Sequence, residues 1–191
     1  MDDRADEVPA EDEILDRFLP REAPEVLRQH HVTAILVARD GQAWVPRALA
    51  ALGAQERPPD QVVLVDAGST DATAQLLAAS GHPMVSSDPA RGFAGAVAAG
   101  VAAGPGPGTA PDAAVAWYWL LHDDSAADPT CLAQLLLGAD RNPAATLVGP
   151  KAVAWSDPDV LVSIGHLWAP GAPVVEKLEP RERDQGQYDV D

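Results

Sequence analysis

The stretch VTAILVARDGQAWVPRALAAL, residues 32–52, contains the pattern that decides the fold. Its first part, 32–38, is an almost unbroken apolar run, which is typical of a strand buried on both faces. Asp-Gly at 40–41 then predicts a turn. Apolar residues recur at helical spacing over 44–52, and the proline in this segment falls in the first helical turn, where it is tolerated. The stretch therefore predicts a buried strand followed by a helix.

The same alternation continues along the chain. Further strands are expected at 61–66, 83–86, 115–121 and 145–154, and further helices at 68–79, 91–104 and 129–140. Buried strands that alternate with helices indicate an α/β domain with a mainly parallel sheet.

The composition and the apolar pattern divide the chain into three parts. Residues 1–30 form an acidic, proline-broken tail with one short helical pattern at 11–20. Residues 31–155 carry the α/β pattern. Residues 156–191 predict a loop and hairpin extension.

Composition excludes several classes of function. The formal net charge is −16, from 13 Lys and Arg against 29 Asp and Glu. This balance argues against a nucleic-acid groove and against binding to an anionic membrane surface. No apolar run reaches the roughly 18 residues of a membrane span, and the acidic N-terminus does not resemble a signal peptide. The single cysteine, Cys131, excludes an intramolecular disulfide. We therefore expect a cytoplasmic protein.

Polar residues follow three of the predicted strands at their carboxyl ends. They are Arg39-Asp40, Asp66-Ala67-Gly68 and Asp123-Asp124. Ligands of open parallel sheets bind beyond this edge. The convergence of these residues is the main functional signal in the pattern itself.

Each group has two interpretations. Asp123 and Asp124 could bind a hard cation through carboxylate oxygens, or cap the following helix. Asp66 could accept hydrogen bonds from a ribose or base, or bind the N–H groups of the GST turn. Arg91-Gly92 could face a diphosphate at a helix N-terminus, or the arginine could be a solvent-exposed side chain. His122 could support the neighbouring carboxylates. His30 and His31 are expected at the surface.

Three other nucleotide or hydrolase motifs are missing from the sequence. The segment GAVAAGVAAG lacks the Lys-Ser/Thr of a Walker loop, no GxGxxG follows the first strand, and no GxSxG occurs.

Together these segments resemble a known family. The order VTAILVARDG, VVLVDAGSTD, RGFAGAVAAG and WLLHDDSAADP is similar to the opening of family 2 glycosyltransferases, and VGPKAV and IGHLWAPG resemble their actinobacterial branch. The resemblance covers residues 31–188. It implies the GT-A fold, a Rossmann-like three-layer sandwich around a mainly parallel sheet.

The resemblance also implies a reaction. It is the inverting transfer of a sugar from a nucleotide-diphospho-sugar donor to an acceptor hydroxyl on a glycan or lipid-linked acceptor, at the inner face of the plasma membrane. Mn²⁺ or Mg²⁺ would be held by Asp124 and Asp123. The implied nucleotide-sugar-binding residues are Val37, Ala38, Arg39, Asp40, Asp66, Gly68, Ser69, Arg91, Gly92 and Asp123.

The sequence departs from the family pattern in ways that bear on function. Ala67, Ala98 and Val37 replace residues that are often polar in relatives. Nothing after Asp124 resembles the general base, which we expect beyond Asp191, so this segment alone should be inactive. A non-catalytic, glycosyltransferase-like binding or assembly module is the main alternative. A sugar-phosphate nucleotidyltransferase is a third, although its glycine- and lysine-rich signature is absent.

Overall fold

The computed structural model describes residues 29–104, 114–167, 175–176 and 178–189. The predicted tail with its short helical pattern, 1–28, lies outside the described residues. So do most of the predicted loop at 104–112 and the end of the IGHLWAPG motif.

A sheet of four parallel strands forms the centre of the domain, in the order β3-β2-β1-β4. Val37 of β1 is level with Val65 of β2 and with His122 of β4, so these three strands end at the same edge. The strands are β1 (His30–Ala38), β2 (Gln61–Asp66), β3 (Met84–Ser86) and β4 (Val115–His122). The predicted parallel sheet is confirmed.

Helices cover both faces of this sheet. They are α1 (Val45–Gly53), α2 (Thr73–Ala79), α3 (Gly92–Ala103) and α4 (Cys131–Arg141). Alternate side chains of β1 point to opposite faces, as strand geometry requires. Val32, Ala34 and Leu36 pack with residues of α1, α2 and α4, whereas Ile35 and Val37 pack against α3. The three-layer α/β sandwich of the Rossmann-like GT-A type is therefore confirmed.

Two predicted elements differ from the structure. The helix expected over 68–79 begins only at Thr73, because the preceding residues form a turn in which Gly68 has a φ of +80°. The strand expected over 145–154 was wrong, because only β5 (Ala152–Val153) pairs with another strand. Leu147, inside the predicted strand, is 88% exposed and has no sheet to pack against.

The region after β5 is built from short antiparallel pairs. β6 (Leu161–Ser163) pairs with β5, and β7 (His166–Leu167) pairs with β8 (Val175–Glu176). Within the described ranges, no helix is long and apolar enough to cross a membrane.

His30 and His31 were expected at the surface, and that prediction was wrong. The His30 side chain is only 7% exposed, and its Nε2 lies 3.0 Å from Asp140 Oδ1. Its Nδ1 accepts a hydrogen bond from Trp117 Nε1 at 3.1 Å. The His31 side chain is 17% exposed. Both histidines begin β1 between β2 and β4, and long-range contacts from β4 and α4 cover His30.

Candidate functional site

The loop after β1 is hydrogen-bonded to the loop after β2. Asp40 N donates to Ser69 Oγ at 3.0 Å, and Asp40 Oδ1 accepts from Thr70 N at 2.7 Å and from Thr70 Oγ1 at 3.0 Å. Asp40 adopts a left-handed backbone conformation with a φ of +49°. Asp40 and Ser69, both predicted to contact the donor, therefore contact the neighbouring loop, and these bonds hold the two loops together.

A second pair of hydrogen bonds continues this connection. Gln42 N donates to Asp71 Oδ2 at 3.1 Å, and Ala72 N donates to Gln42 Oε1 at 3.2 Å. The two loops are thus joined over several residues, so the hydrogen bonds between them hold the surface above the ends of β1 and β2 in a defined conformation.

Asp66 ends β2 as a buried carboxylate, 7% exposed. Its Oδ1 accepts a hydrogen bond from Ser69 N at 3.2 Å. The sequence allowed two roles for Asp66, binding the turn or binding a ribose or base, and this contact is the first of them. Gly68 packs closely on Pro89, since a Cβ at Gly68 would lie 2.7 Å from Pro89 Cδ.

Ala38 is fully buried and packs against α1 and α2, so it reaches the edge only through its carbonyl, which accepts from Ala67 N at 2.9 Å.

Asp123 is fixed by the backbone of β1 and of the loop that follows it. Its amide donates to Val37 O at 3.2 Å, and its Oδ2 accepts from Arg39 N at 3.1 Å. It is 3% exposed. Gly41 allows this approach, because a Cβ there would lie only 2.0 Å from Asp123 Oδ2. The sequence Arg-Asp-Gly after β1 thus makes room for a carboxylate from β4.

A histidine joins the two aspartates at this turn. His122 Nδ1 lies 2.8 Å from Asp123 Oδ1 and 2.9 Å from Asp124 Oδ1. The Asp124 side chain is 64% exposed, in contrast to that of Asp123. The His122 ring stacks on Phe93, with ring centroids 5.3 Å apart and an interplanar angle of 25°. One carboxylate is therefore locked in place while its neighbour faces solvent.

The three side chains lie close enough together to hold a divalent cation between them. Their ligand atoms all lie within 4.8 Å of one another. Neighbouring ligands of an octahedral ion at about 2.1 Å lie about 3.0 Å apart. The 2.8 and 2.9 Å contacts of His122 are close to that value, although an Nδ1–H donor would give the same distances. The two carboxylates are ligands that suit Mn²⁺ or Mg²⁺.

A shallow, open depression lies beside this turn. Its floor is mainly apolar. Three of the predicted donor-binding residues line it: Val37, Arg39 and Gly92. Four residues that were not predicted to bind the donor also line it: Ala67, Pro89, Phe93 and His122. Arg91 ends the 3-10 turn Pro89–Arg91 and is not among them. Phe93 directly follows the predicted Gly92, but only the fold reveals its contact with His122.

The turn that contains Asp123 and Asp124 (the acidic turn) also contacts the residues after β5 through its backbone. Trp155 Nε1 donates to Asp124 O at 2.8 Å. Trp155 also packs against Trp44, with ring centroids 5.8 Å apart. No sequence signal indicated this contact, since Trp155 lies 31 residues beyond Asp124.

Several solved structures are similar to this chain. S. aureus TarS matches with 15% identity and a TM-score of 0.45, over 59% of this chain and 20% of TarS. TarS 1-349 in complex with UDP matches with 15% identity and a TM-score of 0.44, over 59% of this chain and 33% of that one. TarS 1-349 in complex with UDP-GlcNAc matches with the same identity and TM-score, over 59% and 32%. This chain thus spans 20% to 33% of the length of these structures.

The sequence itself carries the family assignment. No curated protein matches the chain. The sequence model of the family described as glycosyl transferase family 2 matches residues 33–168, which is more than half of the 191 residues. The matched range includes most of β1, all of β2, β3 and β4, the two joined loops and the acidic turn. The chain belongs to glycosyl transferase family 2.

Proposed function

We propose that this domain binds a nucleoside diphosphate sugar together with a divalent cation, for inverting transfer of the sugar to an acceptor hydroxyl. One observation carries the proposal. A buried, backbone-fixed carboxylate (Asp123) and an exposed one (Asp124) stand side by side at the carboxyl edge of the sheet, next to an open depression. A fixed carboxylate beside a free one supplies a preorganised ligand and an adjustable one.

The depression supplies the surface for the nucleoside. Val37, Ala67 and Phe93 give it an apolar floor, which suits the faces of a base and ribose. Gly92 begins α3, so the N–H groups of the first helical turn and the Arg39 side chain are the positive groups for a diphosphate. A chain with a net charge of −16 needs such local groups to hold an anion.

The acidic turn supplies the cation site. His122, Asp123 and Asp124 would hold the cation, with Asp124 and the imidazole as its exposed ligands. The carboxylates suit Mn²⁺ and Mg²⁺ alike, and an imidazole ligand is less suited to Mg²⁺, which prefers oxygen ligands. When bound, the cation would neutralise charge on the departing diphosphate. Asp40, Asp66, Gly68 and Ser69 act in this proposal by holding the loops that line the donor site.

The remaining predictions concern the rest of the reaction. The acceptor, the general base, Arg91 as a donor contact, the actinobacterial branch and the place at the inner membrane face all stay predictions from the resemblance. A non-catalytic binding module is the second candidate. It is favoured by Ala67, which lines the depression with a methyl group and offers no side-chain hydrogen bond to a base.

Calorimetric titration of UDP and UDP-GlcNAc into the chain tests the donor proposal. These ligands are chosen because they are named for the TarS structures. In Mn²⁺ we expect saturable binding that Asp124→Ala weakens at least ~10-fold, as loss of groups at metal sites commonly does. Asp159→Ala, which removes a carboxylate that is also exposed but lies outside the cluster, should leave the affinity unchanged.

Two results would count against the proposal. If neither nucleotide binds a folded sample at millimolar concentration, the donor-binding role is lost and an assembly role gains. If binding is equally strong in EDTA, the cation has no part in it.

A further inference from the structure

The two aspartates of the acidic turn are held in different ways. Asp123 is fixed through its amide and its carboxylate, which bond to β1 and to the loop after it. The Asp124 side chain is 64% exposed, and its carboxylate contacts His122 Nδ1 at 2.9 Å. Because so little surrounds this side chain, the direction of the Asp124 carboxylate depends on the backbone on either side of it.

The carbonyl of Asp124 is held from outside the turn. Trp155 Nε1 donates a hydrogen bond to Asp124 O at 2.8 Å. This oxygen belongs to the planar peptide unit between Asp124 and Ser125, so the bond orients the backbone that follows Asp124. Within the turn, Ser125 N and Ser125 Oγ donate to His122 O at 3.3 and 2.9 Å. Both of these bonds end on His122 O, so neither of them orients the Asp124 carbonyl.

The Trp155 ring is itself held by side chains at the start of α1. The guanidinium carbon of Arg47 lies 3.7 Å from the centre of this ring, in a cation–π contact. Trp44 packs on the same ring, with centroids 5.8 Å apart. Trp44 N donates to Gly41 O at 2.8 Å, and Gly41 is the residue whose missing Cβ admits Asp123 Oδ2. One segment, the loop after β1 and the start of α1, therefore holds both Asp123 and Trp155.

The position of Trp155 suits an orienting role better than a role in the core. Its side chain is 38% exposed and lies outside the three apolar clusters of the sheet. Its N–H ends instead on the backbone of Asp124, the exposed carboxylate of the proposed cation site. Groups that orient a metal ligand commonly change metal affinity, because an oriented ligand loses less conformational freedom when the ion binds.

We propose that Trp155 is a positioning residue for the cation site, where its indole N–H holds the Asp124 backbone so that the carboxylate can reach the same ion as Asp123. The inference rests on the proposed function, because it concerns the cation that Asp124 would bind. Trp155 acts through Asp124 and does not itself bind the cation or the nucleotide. Arg47 and Trp44 act one step further away, by holding the Trp155 ring.

Trp155→Phe tests this role, because it keeps an aromatic ring for Arg47 to cover and removes the N–H. The measured quantity is the Mn²⁺ concentration that gives half of the maximal UDP binding in calorimetric titrations. We expect Trp155→Phe to raise this concentration about 3- to 10-fold, the effect of losing one hydrogen bond. In the Asp124→Ala variant, which lacks the positioned carboxylate, adding Trp155→Phe should cause no further change.

Trp117→Phe is the matched control. It makes the same chemical change and also removes one indole hydrogen bond, which Trp117 Nε1 donates to His30 Nδ1 at 3.1 Å. Trp117 lies near the beginning of β4, whereas the acidic turn follows the end of that strand. Trp117→Phe should lower the urea midpoint of unfolding and leave the Mn²⁺ dependence of UDP binding unchanged.

Three results would overturn the positioning role. The first is a change of less than about twofold in Trp155→Phe, which is too small for a lost hydrogen bond to a ligand residue. The second is an equal change in Trp117→Phe, which would trace the effect to stability. The third is a further loss in the Asp124→Ala background, since Trp155 would then act by another route. If the unmodified chain shows no Mn²⁺-dependent UDP binding, the proposed function itself fails and this role fails with it, so the two failures can be told apart.

Discussion

Residues 30–141 and residues 145–189 are stabilised in different ways. The first region contains nearly all of the buried apolar side chains, arranged in three clusters on the two faces of the sheet. In the second, Leu161 is the one buried apolar residue among those the structure describes. Exposed ion pairs are prominent among the contacts of this second region. Lys151 Nζ lies 2.7 Å from Asp184 Oδ2, and Arg183 Nη2 lies 2.7 Å from Asp159 Oδ2.

The difference assigns separate roles to the two regions. Apolar burial fixes the strands of the sheet, and hydrogen bonds fix the loops after β1 and β2 and the carboxylate of Asp123, so the proposed donor site has a rigid base. Exposed ion pairs contribute only about 0–1 kcal/mol each. The second region is therefore held weakly, and it contributes Trp155 to the edge.

The largest expected effect is on the core of the first region. Leu64→Ala empties a fully buried position between β1, α1 and α2, and should lower the free energy of unfolding by about 2–5 kcal/mol. Leu147→Ala makes the same chemical change at an exposed position in the second region. It should change the free energy of unfolding by less than about 0.5 kcal/mol. Urea denaturation measures both. Equal losses would mean that the two regions do not differ in packing.

A change at the donor edge should affect binding more than folding. Gly41→Ala places a methyl group where Asp123 Oδ2 lies, so Asp123 must move away from Arg39 N. We expect UDP affinity in Mn²⁺ to fall at least ~10-fold, because the displaced carboxylate belongs to the proposed cation site. Calorimetry and urea denaturation on the same sample separate the two effects.

Gly138→Ala is the matched control for Gly41→Ala. It adds a methyl group in α4 with nothing within 4 Å, so it should leave affinity unchanged and raise stability by up to ~1 kcal/mol. Unchanged UDP affinity in Gly41→Ala would show that the position of Asp123 does not matter for binding.

The smallest effect should be a response of the second region to pH. A hydrogen bond from Lys151 lowers the pKa of Asp184, and a further hydrogen bond from the Gly186 amide acts in the same direction. Because the folded pKa lies below the unfolded one, the contribution is fully present above the unfolded pKa of an aspartate, which is about 4, and is lost as pH falls through the lower folded pKa. Amide signals of 178–189 should therefore change in acid before those of β1.

Lys151→Met provides the control for the acid response. It removes the partner of Asp184, so the amides of 178–189 should already be altered at neutral pH and should respond less to acid. Simultaneous loss of both sets of signals in the unmodified chain would show that the regions unfold as one unit.

The parallel sheet could be predicted because its strands are continuous apolar runs. The three-layer arrangement follows from the two-sided burial of β1. The strand predicted over 145–154 shows the limit of this approach, since only Ala152 and Val153 pair with another strand and Leu147 stays exposed. His30 shows another limit. Its contacts with Trp117 and Asp140 join residues 87 and 110 positions away, which no local pattern reports.

The site was predictable in its location but not in its contacts. The edge of a parallel sheet places Asp40, Asp66 and Asp123 together, and the sequence pattern is sufficient to expect this. The hydrogen bonds of Asp40 to Thr70, the stacking of Phe93 on His122 and the bond from Trp155 to Asp124 depend on how loops pack. Loop packing is set by the whole fold, so residues such as Phe93 and Trp155 had no signal in the sequence.

Paramagnetic broadening by Mn²⁺ in the presence of UDP tests the central claim most directly. The bound ion broadens NMR signals according to their distance from it. We expect substoichiometric Mn²⁺ with UDP to remove the amide signals of residues 37–41 and 122–124 first, and to leave those of 157–159 intact. Selective loss at 157–159, or uniform weak broadening over all acidic surfaces, would contradict a donor site at the carboxyl edge of the sheet.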